Sequence, residues 1–153
     1  MANFSKVGSR NVANGKSYER LVAKKLSANL GMNFRRTICS GGQYEPGDLK
    51  RTDGPWNLEI ECKSGAGYTL LQIMKGTSNL NRTVSPGRIV IFRDTPNIHF
   101  VCIHGADADK VFFEEYGDAF PYIMSTIYGQ AYYMFMLDDL KIEYFSKEAI
   151  YGR

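Results

Sequence analysis

From Ser17 the apolar residues recur with a helical period: Tyr18, Leu21, Val22, Leu26 and Leu30 fall at steps of three and four. The pattern predicts a helix over SYERLVAKKLSANLG, stopped by Gly31, a residue suited to the turn that closes a helix. Lys24 and Lys25 lie mostly away from the stripe. Residues 1–15 show no period and predict a flexible basic arm. Beyond the helix the period falls to two. NFRRTICS, Asn33–Ser40, predicts a strand with Phe34, Arg36 and Ile38 on one face and Arg35, Thr37 and Cys39 on the other. SGGQYEPG is a loop by composition, and GDLKR and WNLEIECKS, separated by TDGP, predict a β-hairpin. Gly65–Gly67 break the second strand, and YTLLQIMKGTSNL predicts a helix through Leu70, Leu71, Ile73 and Met74. GRIVIFRD and IHFVCIHG predict two apolar strands joined around Thr95-Pro96-Asn97. Asp107 is placed to cap a short helix, DADKVFFEEYG. AYYMFML then predicts a strand and DDLKIEYFSK a final helix. Without an internal repeat or a low-complexity linker, these elements make one α/β domain with a mixed sheet.

Composition narrows the class. The chain has 153 residues, of which 44% are hydrophobic and 23% charged, the profile of a globular domain rather than a disordered chain. No apolar run approaches the roughly 20 residues that span a bilayer, and the first residues lack the apolar stretch of a signal peptide. The expected setting is intracellular. Cys39, Cys62 and Cys102 are odd in number, widely spaced and set in apolar segments, so they read as buried thiols. With only His99 and His104 to join them, a zinc site is not expected.

The net charge of +3 conceals a gradient. Residues 1–36 carry eight lysines and arginines against Glu19 alone, whereas residues 107–153 carry nine acids against four basic residues. A basic first third suits a polyanion such as nucleic acid, although a solvated basic face has the same composition.

The hairpin carries the candidate chemistry. Alternation puts Glu59, Glu61 and Lys63 on one face of the second strand, with Leu58, Ile60 and Cys62 on the other. A turn centred between Gly54 and Pro55 sets Asp48 opposite Glu61. A turn centred on Asp53-Gly54, the better two-residue turn chemistry, sets Asp48 opposite Glu59. A three-residue loop sets it opposite Ile60 and disperses the cluster. Two of the three turns gather carboxylates that repel one another at cross-strand distance. A divalent cation relieves that repulsion, and magnesium takes one or two carboxylates together with waters and substrate phosphate. It lowers the pKa of a bound water and offsets charge developing on a phosphoryl oxygen, while a neighbouring lysine orients the attacking water. The pattern therefore reads as phosphodiester hydrolysis, with a solvated, alternately charged strand as the plain alternative.

Pro46-Gly47-Asp48, a hairpin, then Glu61-Cys62-Lys63 resembles the PD-(D/E)xK nuclease superfamily, with a glycine inserted between proline and aspartate. Gly15-Lys16-Ser17-Tyr18-Glu19-Arg20 on a helix, Phe34-Arg35-Arg36 on a strand and the Ser40-Gly41-Gly42 loop are similar to archaeal-type Holliday junction resolvases, phage-encoded members included. The resemblance implies a restriction-endonuclease-like core over residues 16–106, a mixed central β-sheet flanked by helices. Residues 107–153 would form a C-terminal extension packed on the core, and its aromatic and methionine density also suits a dimer surface.

By resemblance, Asp48 and Glu61 would be the main metal ligands, with the Cys62 carbonyl as a third, and Glu19 would complete the acidic set. Lys63 would be the water-orienting base. Ser40 matches the family's loop serine or is a plain turn residue, and Gln72 matches a site-facing glutamine or an exposed helix position. Lys6, Arg10, Lys16, Arg35 and Arg36 are the candidate DNA contacts. Arg35 is favoured over Arg36, which shares a face with Phe34 and Ile38. Glu59 remains a competing ligand. The implied activity is Mg²⁺-dependent cleavage of four-way junctions by a homodimer, with Mn²⁺ substituting and no small-molecule cofactor, in a cytoplasm (the host's for a phage protein). A restriction-like, repair or nicking endonuclease of the same superfamily, or a non-catalytic nucleic-acid-binding protein, are the alternatives.

Overall fold

The computed structural model describes residues 4–38, 47–64, 87–112, 123–127 and 129–151. Helix α1 spans Phe4–Leu30. Its stripe of Tyr18, Val22, Ala23, Leu26 and Leu30 is buried. Gly31 closes it at φ 63°, donating its N–H to the Ser27 carbonyl. The helix starts well before Ser17, so residues 4–15, expected as an irregular arm, are helical. Those residues carry no apolar stripe to announce a helix. Once the packed segment has met the cost of nucleation, adding each further turn costs little.

Seven described strands form one sheet: β1 (Phe34–Arg36), β2 (Leu49–Arg51), β3 (Glu59–Lys63), β4 (Arg88–Thr95), β5 (Ile98–His104), β6 (Ile123–Ile127) and β7 (Gln130–Met136), in the order β1-β2-β3-β4-β5-β7-β6. Only β3 and β4 run parallel. On one face Ile60, Ile89, Ile91, Val101, Ile103 and Phe135 pack with α1, with helices α2 (Gly105–Val111) and α3 (Lys147–Tyr151), and with Leu137, Leu140 and Phe145. On the other, Val90, Phe92, Cys102 and Tyr132 form a second cluster. The central strands are apolar on both faces, which explains why GRIVIFRD and HFVCIH read as nearly unbroken apolar runs. The whole is a mixed α/β fold with a central sheet flanked by helices, consistent with a PD-(D/E)xK nuclease-like fold.

Several elements differ from expectation. β1 is only three residues long. The N-cap of α2 is His104, whose Nδ1 accepts from the Ala106 N–H at 3.1 Å; Asp107 lies inside the first turn, fully buried. DDLKIEYFSK is not one helix but two 3₁₀ turns, Leu137–Asp139 and Ile142–Tyr144, followed by α3. Leu137, Leu140 and Tyr144 sit at helical spacing, yet Leu140 and Lys141 are extended and break the run. The strand β6 had no expectation attached to it: Ile123 and Met124, on opposite faces, are both exposed, so no alternation marks it. The predicted helix over Tyr68–Leu80 lies outside the described residues, and no described helix is long and apolar enough to cross a membrane.

Candidate active site

The site forms at the end of the sheet where β1 and β3 finish and β2 begins. Leu49 pairs with Ile60, the register of a turn centred at Gly54-Pro55, and one step further this brings Asp48 to Glu61. Asp53-Gly54 does not make the tight turn its sequence suits. Asp53 instead accepts from Arg51 Nε at 2.7 Å, Trp56 packs edge-on against Phe34 and Phe145, and Asn57 N–H bonds to the Ala149 carbonyl. Tertiary packing overrides the local turn preference.

The glycine inserted before the aspartate has a physical cause. Gly47 has φ 76°, and a Cβ there would lie 2.8 Å from the Ile60 carbonyl oxygen and 3.0 Å from its nitrogen. Only a residue without a side chain lets the chain approach β3 this closely in that conformation. Thr37 holds the same segment from the other side: its hydroxyl donates to the Gly47 carbonyl at 2.8 Å and its N–H to the Asp48 carbonyl at 2.9 Å. Asp48 in turn donates its N–H to the Ile60 carbonyl, and its Oδ2 accepts from the Cys62 N–H at 2.7 Å.

Three carboxylates share this neighbourhood. Glu61 bonds to Lys63 Nζ at 2.8 Å, and Glu19, brought in by α1, is ion-paired with Arg36 Nε. The Asp48 carboxyl is pushed up to about 6, first by burial and then by the charges of Glu61 and Glu19, against the opposing Cys62 N–H and Lys63. The Cys62 thiol is raised well above its ordinary value, mainly by burial and further by the charges of Asp48, Glu19 and Glu61, so it is no nucleophile.

Among the described residues no group of three or more His, Cys, Asp or Glu side chains stands close enough to hold a metal by side chains alone. Magnesium needs less: one or two carboxylates, with a backbone carbonyl, waters and phosphate completing an octahedron. Asp48 and Glu61, with the carbonyl of Cys62 directly after Glu61, fit that demand. Burial raises the Asp48 carboxyl most, and the charges of Glu61 and Glu19 add to it; a cation would offset both the lost solvation and the repulsion.

The structure thus gathers Asp48, Glu61, Cys62 and Lys63, with Glu19 and Arg36 beside them. Glu59 is separated from the group: it is 4% exposed and bonded to Arg88 at 2.8 Å. Arg35 pairs across with Lys50. Ser40, with its glycine loop, and Gln72 lie outside the described residues. For Lys6 and Arg10 only the helical backbone is described, and Lys16 is exposed on α1. Thr37, which fastens Asp48, was missed; nothing in its local sequence marks it, because its partners are main-chain groups ten and eleven residues on.

A seven-stranded mixed sheet among the described residues, with a helix-borne glutamate and an Asp…Glu-x-Lys hairpin at one strand end, is consistent with a PD-(D/E)xK nuclease-like fold. In accord with this, residues 10–84 match the model of the family described as "Phage putative PDDEXK endonuclease". The matched span, just under half of the chain, includes Glu19, Asp48, Glu61 and Lys63 and ends before β4. The chain is therefore similar to an endonuclease family, which supports a nuclease acting on DNA; PD-(D/E)xK nucleases generally use divalent metals. No curated protein and no solved structure matches the chain.

Proposed function

We propose that this protein is a Mg²⁺-dependent DNA endonuclease that cuts branched DNA, four-way junctions above all, as a homodimer. The observation that carries the nuclease reading is the convergence of Asp48, Glu61 and Lys63 at one strand end, with the Asp48 carboxyl raised first by burial and then by its acidic neighbours. Asp48 and Glu61 hold the cation, which supplies a more acidic water and offsets phosphoryl charge. Lys63, aligned by Glu61, orients the attacking water. Water's oxygen bonds to phosphorus, one ester P–O bond breaks, and the departing oxygen ends protonated. The junction preference and the homodimer rest on the likeness of the Gly15–Arg20, Phe34–Arg36 and Ser40–Gly42 segments to junction resolvases. Two opposed copies match two opposed strands of the four that make such a junction.

The test incubates wild type and Asp48→Asn with a labelled four-way junction, or with duplex made from one arm, in Mg²⁺ and in EDTA. Cutting of the junction alone, in Mg²⁺ alone and lost in Asp48→Asn, is the expected result. Equal cutting of duplex removes the junction preference and leaves the nuclease. No cutting of either DNA overturns the nuclease reading.

A further inference from the structure

Arg93 stands at the far end of β4, one residue past Phe92, which is the register partner of Lys63. Its guanidinium lies over the Tyr18 ring, 4.9 Å from the centroid. Tyr18 is 2% exposed and immediately precedes Glu19 on α1. Its hydroxyl is hydrogen-bonded to His99 Nδ1 at 3.1 Å, and the two rings stack at 5.7 Å. His99 Nε2 is buried with no hydrogen-bond partner among the described residues, so the Tyr18 bond is the polar anchor of that imidazole. Burial, with Lys25 and Arg93 nearby, holds the imidazole below its ordinary value despite Asp138, so the ring stays neutral. Tyr18 is thereby fixed as a rigid platform, and the same contact fixes the turn of α1 that carries Glu19.

A cation over an aromatic ring uses none of its N–H donors in that contact. The planar N–H groups of an arginine match the bidentate geometry of a phosphate. Among the described side chains, no carboxylate stands at ion-pair distance from Arg93. A half-buried guanidinium in that setting favours an anion. By strand alternation Lys63 and Arg93 project to opposite faces at the same end of the sheet. A strand of DNA crossing that end meets Lys63 from one side and Arg93 from the other. The geometry points to Arg93 as a phosphate-binding residue for DNA next to the scissile position, aimed by the Tyr18–His99 pair. The assignment rests on the nuclease reading, and it adds a contact on β4, beyond the segment that matches the endonuclease family.

The experiment measures binding of the labelled four-way junction in EDTA from low to moderate salt, for wild type, Arg93→Gln and Arg93→Lys. Cleavage in Mg²⁺ and a thermal melt are recorded on the same samples. Loss of one phosphate contact predicts that Arg93→Gln weakens binding about ten-fold and flattens the log–log salt slope by about 1. Arg93→Lys is expected to keep the slope and recover only part of the affinity, because an ammonium supplies charge without the planar fork. If Arg93→Gln lowers the melting temperature while affinity and slope match wild type, Arg93 only packs on Tyr18 and the proposal is wrong. A wild type that neither binds nor cuts DNA overturns the nuclease reading and this assignment with it; a wild type that cuts while Arg93→Gln binds normally overturns the assignment alone.

Discussion

The strand β3 carries two glutamate–cation pairs on one face, two residues apart, with the same 2.8 Å separation: Glu59 with Arg88 and Glu61 with Lys63. Glu59 and Arg88 are 4% and 14% exposed, whereas Glu61 and Lys63 are 24% and 28% exposed. Glu59 and Arg88 are also register partners, so their bond ties β3 to its parallel neighbour β4. The second pair is local to its strand, more exposed, and close to the Asp48 carboxylate and to Glu19, which is itself ion-paired with Arg36. A glutamate–cation pair thus ties two strands together at one end of β3 and lies among the candidate site residues at the other. Burial, the neighbouring carboxylates and the choice of arginine or lysine as partner separate the two settings.

Exchanging each glutamate for its uncharged isostere breaks the comparison most directly. Glu61→Gln removes a proposed metal ligand and the group that aligns Lys63. Cleavage is expected to fall about a thousand-fold, or about 4 kcal/mol in transition-state terms, with the melting temperature nearly unchanged. Glu59→Gln should do the reverse. Removing the buried counter-charge of Arg88 should cost about 3 kcal/mol of stability, seen as a lower urea midpoint, while protein that remains folded cuts at near the wild-type rate. Were Glu59→Gln to abolish cleavage in folded protein, the two pairs would not differ as described.

Much of this could be read from sequence, and the limits have identifiable causes. Alternation put Glu59, Glu61 and Lys63 on one face, and the helical stripe through Leu30 was plain, because both signals are periodic and local. Alternation left three hairpin registers, and only the Glu61–Lys63 spacing favoured the one that sets Asp48 toward Glu61. The turn that decides it is set by Trp56 packing on Phe34 and Phe145, partners far apart in sequence. The same reason hid the division between Glu59 and Glu61: it depends on Arg88, 29 residues away. The C-terminal segment misled because Leu137, Leu140 and Tyr144 imitate a helix while packing from two separate 3₁₀ turns and the extended link between them.

Asp48 sharpens the contrast from the side of charge. Its folded pKa, raised to about 6 from the ordinary 3.8, means that ionisation opposes folding. The stability it contributes is fully present below about 3.8 and is lost as pH rises through about 6. Asp48→Asn keeps an acceptor for the Cys62 N–H and removes the charge. In metal-free protein the variant should be more stable than wild type by about 1 kcal/mol at pH 7.5, after allowance for solvent screening of a partly exposed group. The gain should vanish near pH 4. Thermal melts at the two pH values check it, and adding Mg²⁺ should raise the melting temperature of wild type more than that of the variant. An equal gain at both pH values would show that charge is not its source.

The smallest effect tests how far the order of the reactive end extends into the fold. Thr37 is joined to the Gly47–Asp48 segment by a backbone bond and by its hydroxyl, and only the hydroxyl can be removed by substitution. Thr37→Val keeps the shape and costs about 1 kcal/mol, the worth of one hydrogen bond. If the hydroxyl serves to hold Asp48 against β3, loosening it should raise the Mg²⁺ concentration for half-maximal cleavage about five-fold, in line with the loss of one orienting contact behind a metal ligand. DNA affinity in EDTA should not change, and Thr37→Ser, which restores the donor, should return the Mg²⁺ dependence to wild type. A hydroxyl that merely stabilised the sheet would lower the melting temperature in Thr37→Val and leave the Mg²⁺ dependence where it was. The reactive end of β3 would then owe its geometry to Gly47 and the main chain alone.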